Sequence, residues 1–237
     1  MSSLNKKGVL IQARMGSVRL KGKSLLPLDE SINVMEAVYA RCSKSIKTDL
    51  VAFCISDNSI DDILANFLEA KGYNFIRGNE NNLVKRFYEA CENYQINQFV
   101  RVTGDNPLVD PEVIDYFFDQ DKSVDFVDGY SPKQLPNGTV VSRLSNNILI
   151  RLMEDEKDAE HLEHVVTSPL IINKLIPDFP DKWKNPNVRY CLDNDSDYET
   201  LKKLFTIKNI LEFSTADLIN IYPNISPENL SYADEGY

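Results

Sequence analysis

The stretch "GVLIQARMGSVRLKGKSLLPL" at residues 8–28 decides the fold of this chain. It opens with a short apolar run after Gly8, which predicts a buried β-strand. The run ends at a loop that contains Gly16 and Gly22 and carries the cations Arg14, Arg19, Lys21 and Lys23. The chain as a whole is acidic, with a formal net charge of −10. A basic loop directly after the first strand of such a protein is therefore a candidate anion site.

Length and composition indicate one globular α/β domain. The chain has 237 residues, of which 43% are hydrophobic and 26% charged, enough for a full core. The acidic balance argues against nucleic acid as a partner, because no face is expected to be basic overall. No signal segment opens the chain and no apolar run reaches about 18 residues. We therefore expect a cytoplasmic protein with small-molecule substrates and no membrane partner.

The chain contains only two histidines, which argues against a histidine-based zinc site. None of its four cysteines forms a C-x-x-C pair. We expect them to be buried, reduced thiols. They are Cys42, Cys54, Cys91 and Cys191.

Strand-like and helix-like segments alternate from residue 8 to about residue 128. This order is typical of βαβ units and predicts a largely parallel sheet. Ligands of such sheets bind beyond the carboxyl ends of the strands. The segments "IQARMGS", "CISDNS" and "VTGDNP" are all expected at that edge.

The alternation breaks after residue 128. Residues 130–145 are rich in turn residues around one β-like segment, which predicts either an insertion or an edge hairpin. "NVRYCL" predicts a further strand, and helices follow it. We expect a single domain over residues 1–222 and a polar tail over residues 223–237.

The first loop has the properties of a phosphate cradle. Gly16 and Gly22 permit close backbone approach, and Ser17 offers a hydroxyl and an amide. The loop also carries cations suited to phosphate oxygens, namely Arg14, Arg19 and Lys23. It is not a Walker loop, because the spacing from Gly16 to Gly22 is one residue too long, and it is not G-x-G-x-x-G. A solvated basic loop is the alternative interpretation.

Two aspartates follow predicted strands directly, Asp105 in "RVTGDNP" and Asp193 in "RYCLDND". A carboxylate at such a position can hold Mg²⁺ beside bound phosphates, although a turn or helix-capping role is the alternative. Asp195 and Asp197 are expected at the start of a helix. The two strand-end aspartates and the basic loop together predict metal-assisted phosphoryl or nucleotidyl transfer.

Several segments resemble, in order, the cytidylyltransferases that activate acidic sugars, in particular the branch named after spore coat polysaccharide biosynthesis protein F. "IQARMGSVRLKGKSL" is similar to I-Q-A-R-M-G-S-T-R-L-P-G-K, and "FIRGNENNLVKRFYEA" to R-G-x-E-x-D-V-L-x-R-[FY]-x-x-A. "VRVTGDNPLVDP" is similar to V-R-[IV]-T-G-D-x-P-L-I-D-P. "LEHVVTSPLI" and "VRYCLDNDSD" resemble R-E-H-V-T-x-Y-I and R-[LW]-T-[VL]-D-x-x-x-D. The resemblance covers residues 8 to about 205.

The resemblance implies a Rossmann-like, glycosyltransferase-A-like nucleotidyltransferase fold of three layers, with a mostly parallel twisted sheet and a β-rich insertion. It also implies CTP as substrate and Mg²⁺ as cofactor, with Asp105 and Asp193 as metal ligands and, with Arg14 and Lys23, as catalytic residues. The nucleotide-binding residues that it implies are Gln12, Ala13, Arg14, Met15, Gly16, Ser17, Arg19, Lys23, Arg77, Arg86, Thr103 and Gly104. Acceptor contacts are implied for Asn137, Glu163 and His164.

The sequence departs from the family pattern at several places. Lys21 replaces the usual proline of the first loop, and Asn82 replaces an acid. Val140 and Ser142 stand where two acids are expected, which predicts either an unusual acceptor or a changed activity. For His161 and His164, a surface or capping role is the alternative to acceptor contact.

We therefore expect transfer of CMP from CTP to a sugar acid or a phosphorylated acceptor, with release of pyrophosphate, for surface polysaccharide or glycoconjugate biosynthesis. A nucleotide-sugar glycosyltransferase is one alternative, although such enzymes usually carry D-x-D near the middle of the chain. A non-catalytic nucleotide-binding protein is the other. The resemblance also predicts a homodimer, with residues 130–145 as a candidate arm.

Overall fold

The computed structural model describes residues 6–154 and 173–222. The strands are β1 (Lys7–Gln12), β2 (Leu50–Ser56), β3 (Asn74–Gly78), β4 (Gln98–Thr103), β5 (Phe126–Asp128), β6 (Ser142–Ser145) and β7 (Lys174–Leu175). The α-helices are α1 (Val34–Cys42), α2 (Asp62–Ala70), α3 (Leu83–Tyr94), α4 (Pro111–Asp119), α5 (Asn146–Glu154), α6 (Asp195–Phe205) and α7 (Thr215–Ile221). Short 3₁₀ helices cover Lys23–Leu25, Ser59–Asp61, Asp181–Trp183 and Ile210–Glu212. The predicted alternation of strands and helices is confirmed.

The strands form one mixed sheet in the order β3-β2-β1-β4-β6-β5-β7. All of its pairs are parallel except those of β6, which runs antiparallel to both β4 and β5. The predicted mostly parallel α/β fold is confirmed.

Strand β6 is the β-like part of the turn-rich segment 130–145, and it lies inside the sheet. The edge-hairpin alternative is therefore wrong. Residues 142–145 also do not fit a protruding dimerisation arm, because β4 and β5 occupy both hydrogen-bonding edges of β6.

Side chains alternate across the sheet and build two apolar layers, as the period of a strand requires. Val9 and Ile11 of β1 pack on one face with α1, α2, α4, α6 and α7. Leu10 points to the opposite face and packs with α3 and α5. All three side chains are fully buried. The result is a three-layer arrangement with the sheet in the middle.

Local signals place the helices on either side of the sheet. Asp110 caps α4 by accepting from Glu112 N, with Pro111 at the first turn. Asn194 and Asp197 form a reciprocal capping box at the start of α6. Helix α6 therefore begins two residues after Asp193, which fixes where that residue can point.

The segment "NVRYCL" is extended but is not a strand of the sheet. Its pairing is a single parallel bridge between Arg189 and Asn137. The predicted strand is therefore wrong as a sheet element, because the segment pairs with a loop rather than with another strand. Within residues 6–154 and 173–222, no helix has the length and apolar character needed to cross a membrane.

Candidate active site

The site lies at the carboxyl edge of β1 and β4, whose last residues, Gln12 and Thr103, are Cα partners. Gly104 N donates to Gln12 O at 2.7 Å, which draws the two strand ends together. A Cβ atom on Gly104 would lie 2.9 Å from the Ala13 Cβ atom. Close packing of the strand ends thus requires glycine at this position. The next residue, Asp105, is delivered to the sheet edge.

Buried hydrogen bonds hold the basic loop against the sheet. Met15 N donates to Asp61 Oδ1 at 2.6 Å, and Asp61 is fully buried. The Ser24 hydroxyl donates to the Arg14 carbonyl at 2.9 Å. Both ends of the loop are therefore anchored. Around Gly16, in contrast, a Cβ atom would meet no atom within 4 Å, so the backbone there is open to a ligand.

The tip of the loop faces solvent. Val18 is 91% exposed, and the Arg19 side chain is 55% exposed. The Ser17 hydroxyl accepts from Leu20 N at 3.4 Å, which folds the tip on itself. The tip therefore presents the cationic side chain of Arg19 at the surface of the site.

Lys23 extends from the loop into the centre of the site. Its ammonium nitrogen, Nζ, lies 2.7 Å from Asp105 Oδ2, 2.8 Å from the Leu192 carbonyl oxygen and 2.9 Å from Asp193 Oδ1. The Lys23 side chain is only 15% exposed. The structure thus brings together Lys23, Asp105 and Asp193, which lie far apart in the sequence.

The backbone itself carries Asp193 to Asp105. Leu192 N donates to the Asp105 carbonyl at 2.8 Å. Helix α6 starts immediately after this contact, with Asn194 as its N-cap. The two carboxylates therefore converge because one hydrogen bond and one helix start fix their backbones.

Arg189 supports Asp193 from the buried side. Arg189 Nη2 donates to Asp193 Oδ2 at 2.7 Å, and its Nε and Nη2 donate to the two Asp197 oxygens at 2.8 and 2.9 Å. The Arg189 side chain is 2% exposed. Cys191, Asp193 and Asp197 lie close enough together to share a cation. The Arg189 guanidinium already supplies that cation, so these residues form a buried ion-pair network.

The charges of the site hold one another in the ionised state. Burial by itself would lower the pKa of the Lys23 ammonium, but Asp105 and Asp193 outweigh it and raise that pKa. Burial would raise the pKa of Asp193, whereas Lys23, Arg189 and Arg19 together bring it below its usual value. Lys23 and Asp193 are therefore both charged at neutral pH.

The donor set around the Lys23 ammonium fits a hard divalent cation. Asp105 Oδ2, Asp193 Oδ1 and the Leu192 carbonyl are all oxygens, and the ammonium is a cation standing among them at 2.7 to 2.9 Å. Mg²⁺ prefers oxygen ligands and usually takes one or two carboxylates, with phosphate and water completing its shell. Asp105 and Asp193 are therefore residues that can hold it.

Arg77 and Arg86, both predicted to bind nucleotide, have different environments. Arg77 Nε, Nη1 and Nη2 donate to Ser56 O, Asp62 Oδ1 and Asn58 O at 2.7 to 3.1 Å, so Arg77 ties down the loop after β2. Arg86 is 3% exposed, and its Nε has no hydrogen-bond partner among residues 6–154 and 173–222. Burial lowers the pKa of Arg86, and the charge of Arg14 lowers it further. Arg86 is the better candidate for ligand contact.

On the predicted acceptor side, Asn137 lies against the segment that leads to Asp193. Asn137 N donates to Val188 O at 2.9 Å, and its carbonyl accepts from Tyr190 N at 2.7 Å. Glu163 and His164 lie outside the described residues, as does His161. Their predicted acceptor role stays a prediction.

Four residues that shape this site are not among the predicted site residues: Asp61, Arg101, Arg189 and Asp197, of which Asp197 is expected from the sequence only at the start of a helix. Arg101 donates from Nε to Gln12 Oε1 at 3.1 Å and lies 5.8 Å from the Tyr130 ring centroid. Within the described part of the chain, no carboxylate forms an ion pair with it. No local signal points to Arg189, because the sequence does not show that Asp193 is buried and needs a counter-ion.

The described geometry can be compared with known proteins. A family model described as cytidylyltransferase matches residues 8–220. Spore coat polysaccharide biosynthesis protein SpsF of Bacillus subtilis (strain 168) is 29% identical over 209 residues, covering 83% of this chain and 85% of that protein.

Solved structures share the fold. A cytidylyltransferase from Leptospira borgpetersenii serovar Hardjo-bovis (strain JB197) has a TM-score of 0.84 at 28% identity, covering 96% of this chain and 99% of that one. CMP:2-keto-3-deoxy-manno-octonic acid synthetase complexed with CTP has a TM-score of 0.64 at 16% identity. The match covers 85% of this chain and 98% of that one. The second likeness concerns the fold alone.

Proposed function

The chain belongs to the cytidylyltransferase family and is a nucleotidyltransferase, and from that premise we propose that it transfers CMP from CTP to a sugar acid or a phosphorylated acceptor. Pyrophosphate is the second product. The activated sugar or building block enters surface polysaccharide or glycoconjugate biosynthesis. The name of the Bacillus subtilis relative supports this biosynthetic role.

The observation that carries the proposal is the convergence of Lys23, Asp105 and Asp193 at the carboxyl edge of the sheet, beside the anchored basic loop. Two carboxylates for a divalent cation and a set of cations for phosphates are the groups that nucleotidyl transfer requires. Their position at the strand ends is where ligands of this sheet type bind.

In the proposed reaction an acceptor oxygen forms a bond to the α-phosphorus of CTP, and the bond from that phosphorus to the α–β bridging oxygen breaks. Arg14, Arg19 and Lys23 stabilise the charge on the β- and γ-phosphates and on the departing pyrophosphate. Asp105 and Asp193 would hold Mg²⁺, which would supply Lewis-acid polarisation of the α-phosphate. A phosphate acceptor has no proton to lose, and a hydroxyl acceptor loses its proton to solvent.

Nucleotide and acceptor are expected on two sides of this centre. Arg86 lies near Arg14, and its Nε has no hydrogen-bond partner within the described part of the chain, so we place it on the nucleotide side. Arg101 is held by Gln12 and lies beside Tyr130, next to the segment before β6. Its guanidinium is suited to an acidic group of the acceptor. Asn137, Glu163 and His164 complete the proposed acceptor side.

Compartment and assembly are part of the proposal. All four cysteines are unpaired and buried, which suits the reducing cytoplasm in which CTP is made. A homodimer is proposed from the family resemblance. Residues 130–133 of the candidate arm are exposed, and we propose that they take part in the contact between the two subunits.

Pyrophosphate release is the direct test. The protein is incubated with Mg²⁺, each of the four ribonucleoside triphosphates in turn, and a panel of sugar acids and phosphorylated polyols or sugars. We expect release only with CTP, and only when a suitable acceptor is present, since water is a poor substitute for a bound nucleophile.

The same assay separates the alternatives. Turnover of a nucleotide-sugar, with release of nucleoside diphosphate, would identify a glycosyltransferase. Absence of release with every acceptor, together with undetectable CTP binding by calorimetry, would refute the proposed activity. CTP binding without any turnover would point to a non-catalytic nucleotide-binding protein.

A further inference from the structure

The Lys23 ammonium occupies the place that a divalent cation needs. It lies between Asp105 Oδ2 and Asp193 Oδ1 and also reaches the Leu192 carbonyl, at 2.7, 2.9 and 2.8 Å. These are the same oxygens that can hold Mg²⁺. A divalent cation bound to both carboxylates would need the place that the Lys23 ammonium occupies. The ammonium must therefore leave when the divalent cation arrives.

The cations around Asp193 differ in how firmly they are held. Arg189 approaches Oδ2 from the interior, is 2% exposed and is fixed by two hydrogen bonds to Asp197. Lys23 and Arg19 approach Oδ1 from the basic loop, and Arg19 Nη2 is 3.4 Å away. The loop residues are therefore the ones that can exchange, whereas Arg189 stays in place.

We propose that Lys23 acts in the nucleotide-free enzyme as an internal counter-ion that holds Asp105 and Asp193 together and keeps the divalent cation out. The proposal rests on the proposed function, because the triphosphate of CTP is the anion that draws the ammonium away. In the free enzyme the single charge of the ammonium offsets the repulsion between the two carboxylates, and Arg189 supplies a second positive charge to Asp193.

A binding order follows from this exchange. A metal ion alone must displace the ammonium without supplying it a new anion, which weakens the binding of the metal. A metal ion that arrives with a triphosphate gives the ammonium new oxygens, so metal and nucleotide bind together. Lys23 thus serves as a positioning residue for the metal ligands before it serves the phosphates.

The test measures Mn²⁺ binding to the full chain without any nucleotide, by loss of the free Mn²⁺ signal in electron paramagnetic resonance. Lys23→Met keeps the unbranched side chain and removes the ammonium. Lys21→Met is the matched control, because Lys21 lies in the same loop and is exposed. We expect Lys23→Met to bind Mn²⁺ at least about tenfold more tightly than wild type and Lys21→Met.

Two further variants locate the effect. The double variant Lys23→Met with Asp105→Asn should lose the increase in Mn²⁺ affinity. That result would place the bound Mn²⁺ at these carboxylates. Lys23→Arg keeps the positive charge and should bind Mn²⁺ as weakly as wild type. If Lys23→Met does not fold, as judged by circular dichroism, Lys23→Gln replaces it in the same comparison.

Mn²⁺ affinity in Lys23→Met that is equal to or weaker than that of wild type, including no detectable binding in either, overturns the proposal. A gain that the double variant retains overturns it too. The titration contains no CTP and no acceptor, so its outcome is independent of pyrophosphate release. The enzyme can prove to be a cytidylyltransferase while the counter-ion role of Lys23 fails, and the reverse.

Discussion

At the scale of single residues, Asp193 shows how this site is built. One of its oxygens faces cations from the basic loop, and the other faces the buried Arg189. The first contact is available for exchange with ligands, and the second fixes the geometry. Positioning and binding are thus divided between the two oxygens of one carboxylate.

Asp105→Asn tests the proposed metal role directly. The variant keeps the size of the side chain, so the fold should persist, with thermal unfolding close to that of wild type. Pyrophosphate release should fall by at least about a hundredfold, because one of the two proposed anionic ligands becomes neutral. Full activity of this variant would remove Asp105 from the metal role.

Asp197→Asn tests the buried ion pairs through which Asp197 and Arg189 orient Asp193. The amide offers only one acceptor oxygen in place of two, so the contacts to Arg189 Nε and Nη2 cannot both persist. We expect a stability loss of about 1–3 kcal/mol in urea unfolding. We also expect about a 10- to 100-fold loss of pyrophosphate release, since Asp193 loses its orientation.

Asp195→Asn is the matched control for both aspartate variants, because Asp195 is an exposed residue in the first turn of α6. It should leave stability and turnover near the wild-type values. Loss of stability without loss of turnover in Asp197→Asn would show that Asp197 serves the fold alone.

At the scale of elements, the site depends on a loop packed against an extended segment. Residues 136–139 lie on residues 188–191, and Asn137 exchanges hydrogen bonds with Val188 and Tyr190. Gly138 has φ +101, and a Cβ there would lie 2.6 Å from the Tyr190 carbonyl carbon. The packing of the segment that leads to Asp193 thus requires glycine at position 138.

Gly138→Ala should therefore destabilise the protein by about 3 kcal/mol or more, since it adds a backbone clash to an unfavourable φ. Gly72→Ala is the control, because Gly72 has φ +67 with no atom within 4 Å of its Cβ position. The Gly72→Ala variant should lower the free energy of unfolding by only about 1 kcal/mol. Both variants are measured by urea unfolding. Equal losses of unfolding free energy would show that the loop around Gly138 shifts to accommodate the methyl group and that its close contact with Tyr190 is unimportant.

At the scale of the whole molecule, the three-layer core encloses every cysteine. Cys42, Cys54, Cys91 and Cys191 are all buried and unpaired. Burial raises the pKa of Cys54 to about 12, although Arg86 opposes this, and burial likewise raises the pKa of the other three thiols. The reactive thiolate is therefore scarce near neutral pH.

We predict that no thiol of the native protein reacts rapidly with Ellman's reagent at pH 8, and that four react once guanidinium unfolds the chain. The reaction is followed by absorbance at both conditions. A thiol that reacts rapidly in the native protein would mean that the layers open around that cysteine.

The sequence by itself determined the α/β class, the parallel half of the sheet and the position of the basic loop. Local signals were sufficient for these, because apolar runs, caps and glycines act over a few residues. The family resemblance added the site residues, and the structure brings Lys23, Asp105 and Asp193 into contact.

Only the tertiary structure decided where β6 lies and what surrounds Asp193. Strand β6 is short and its neighbours β4 and β5 precede it in the chain, so no local pattern shows that it enters the interior of the sheet. Arg189 and Asp197 look like ordinary charged residues until folding buries them together. Their role comes from burial, because an unpaired buried charge is unstable and must find a partner that the sequence does not specify.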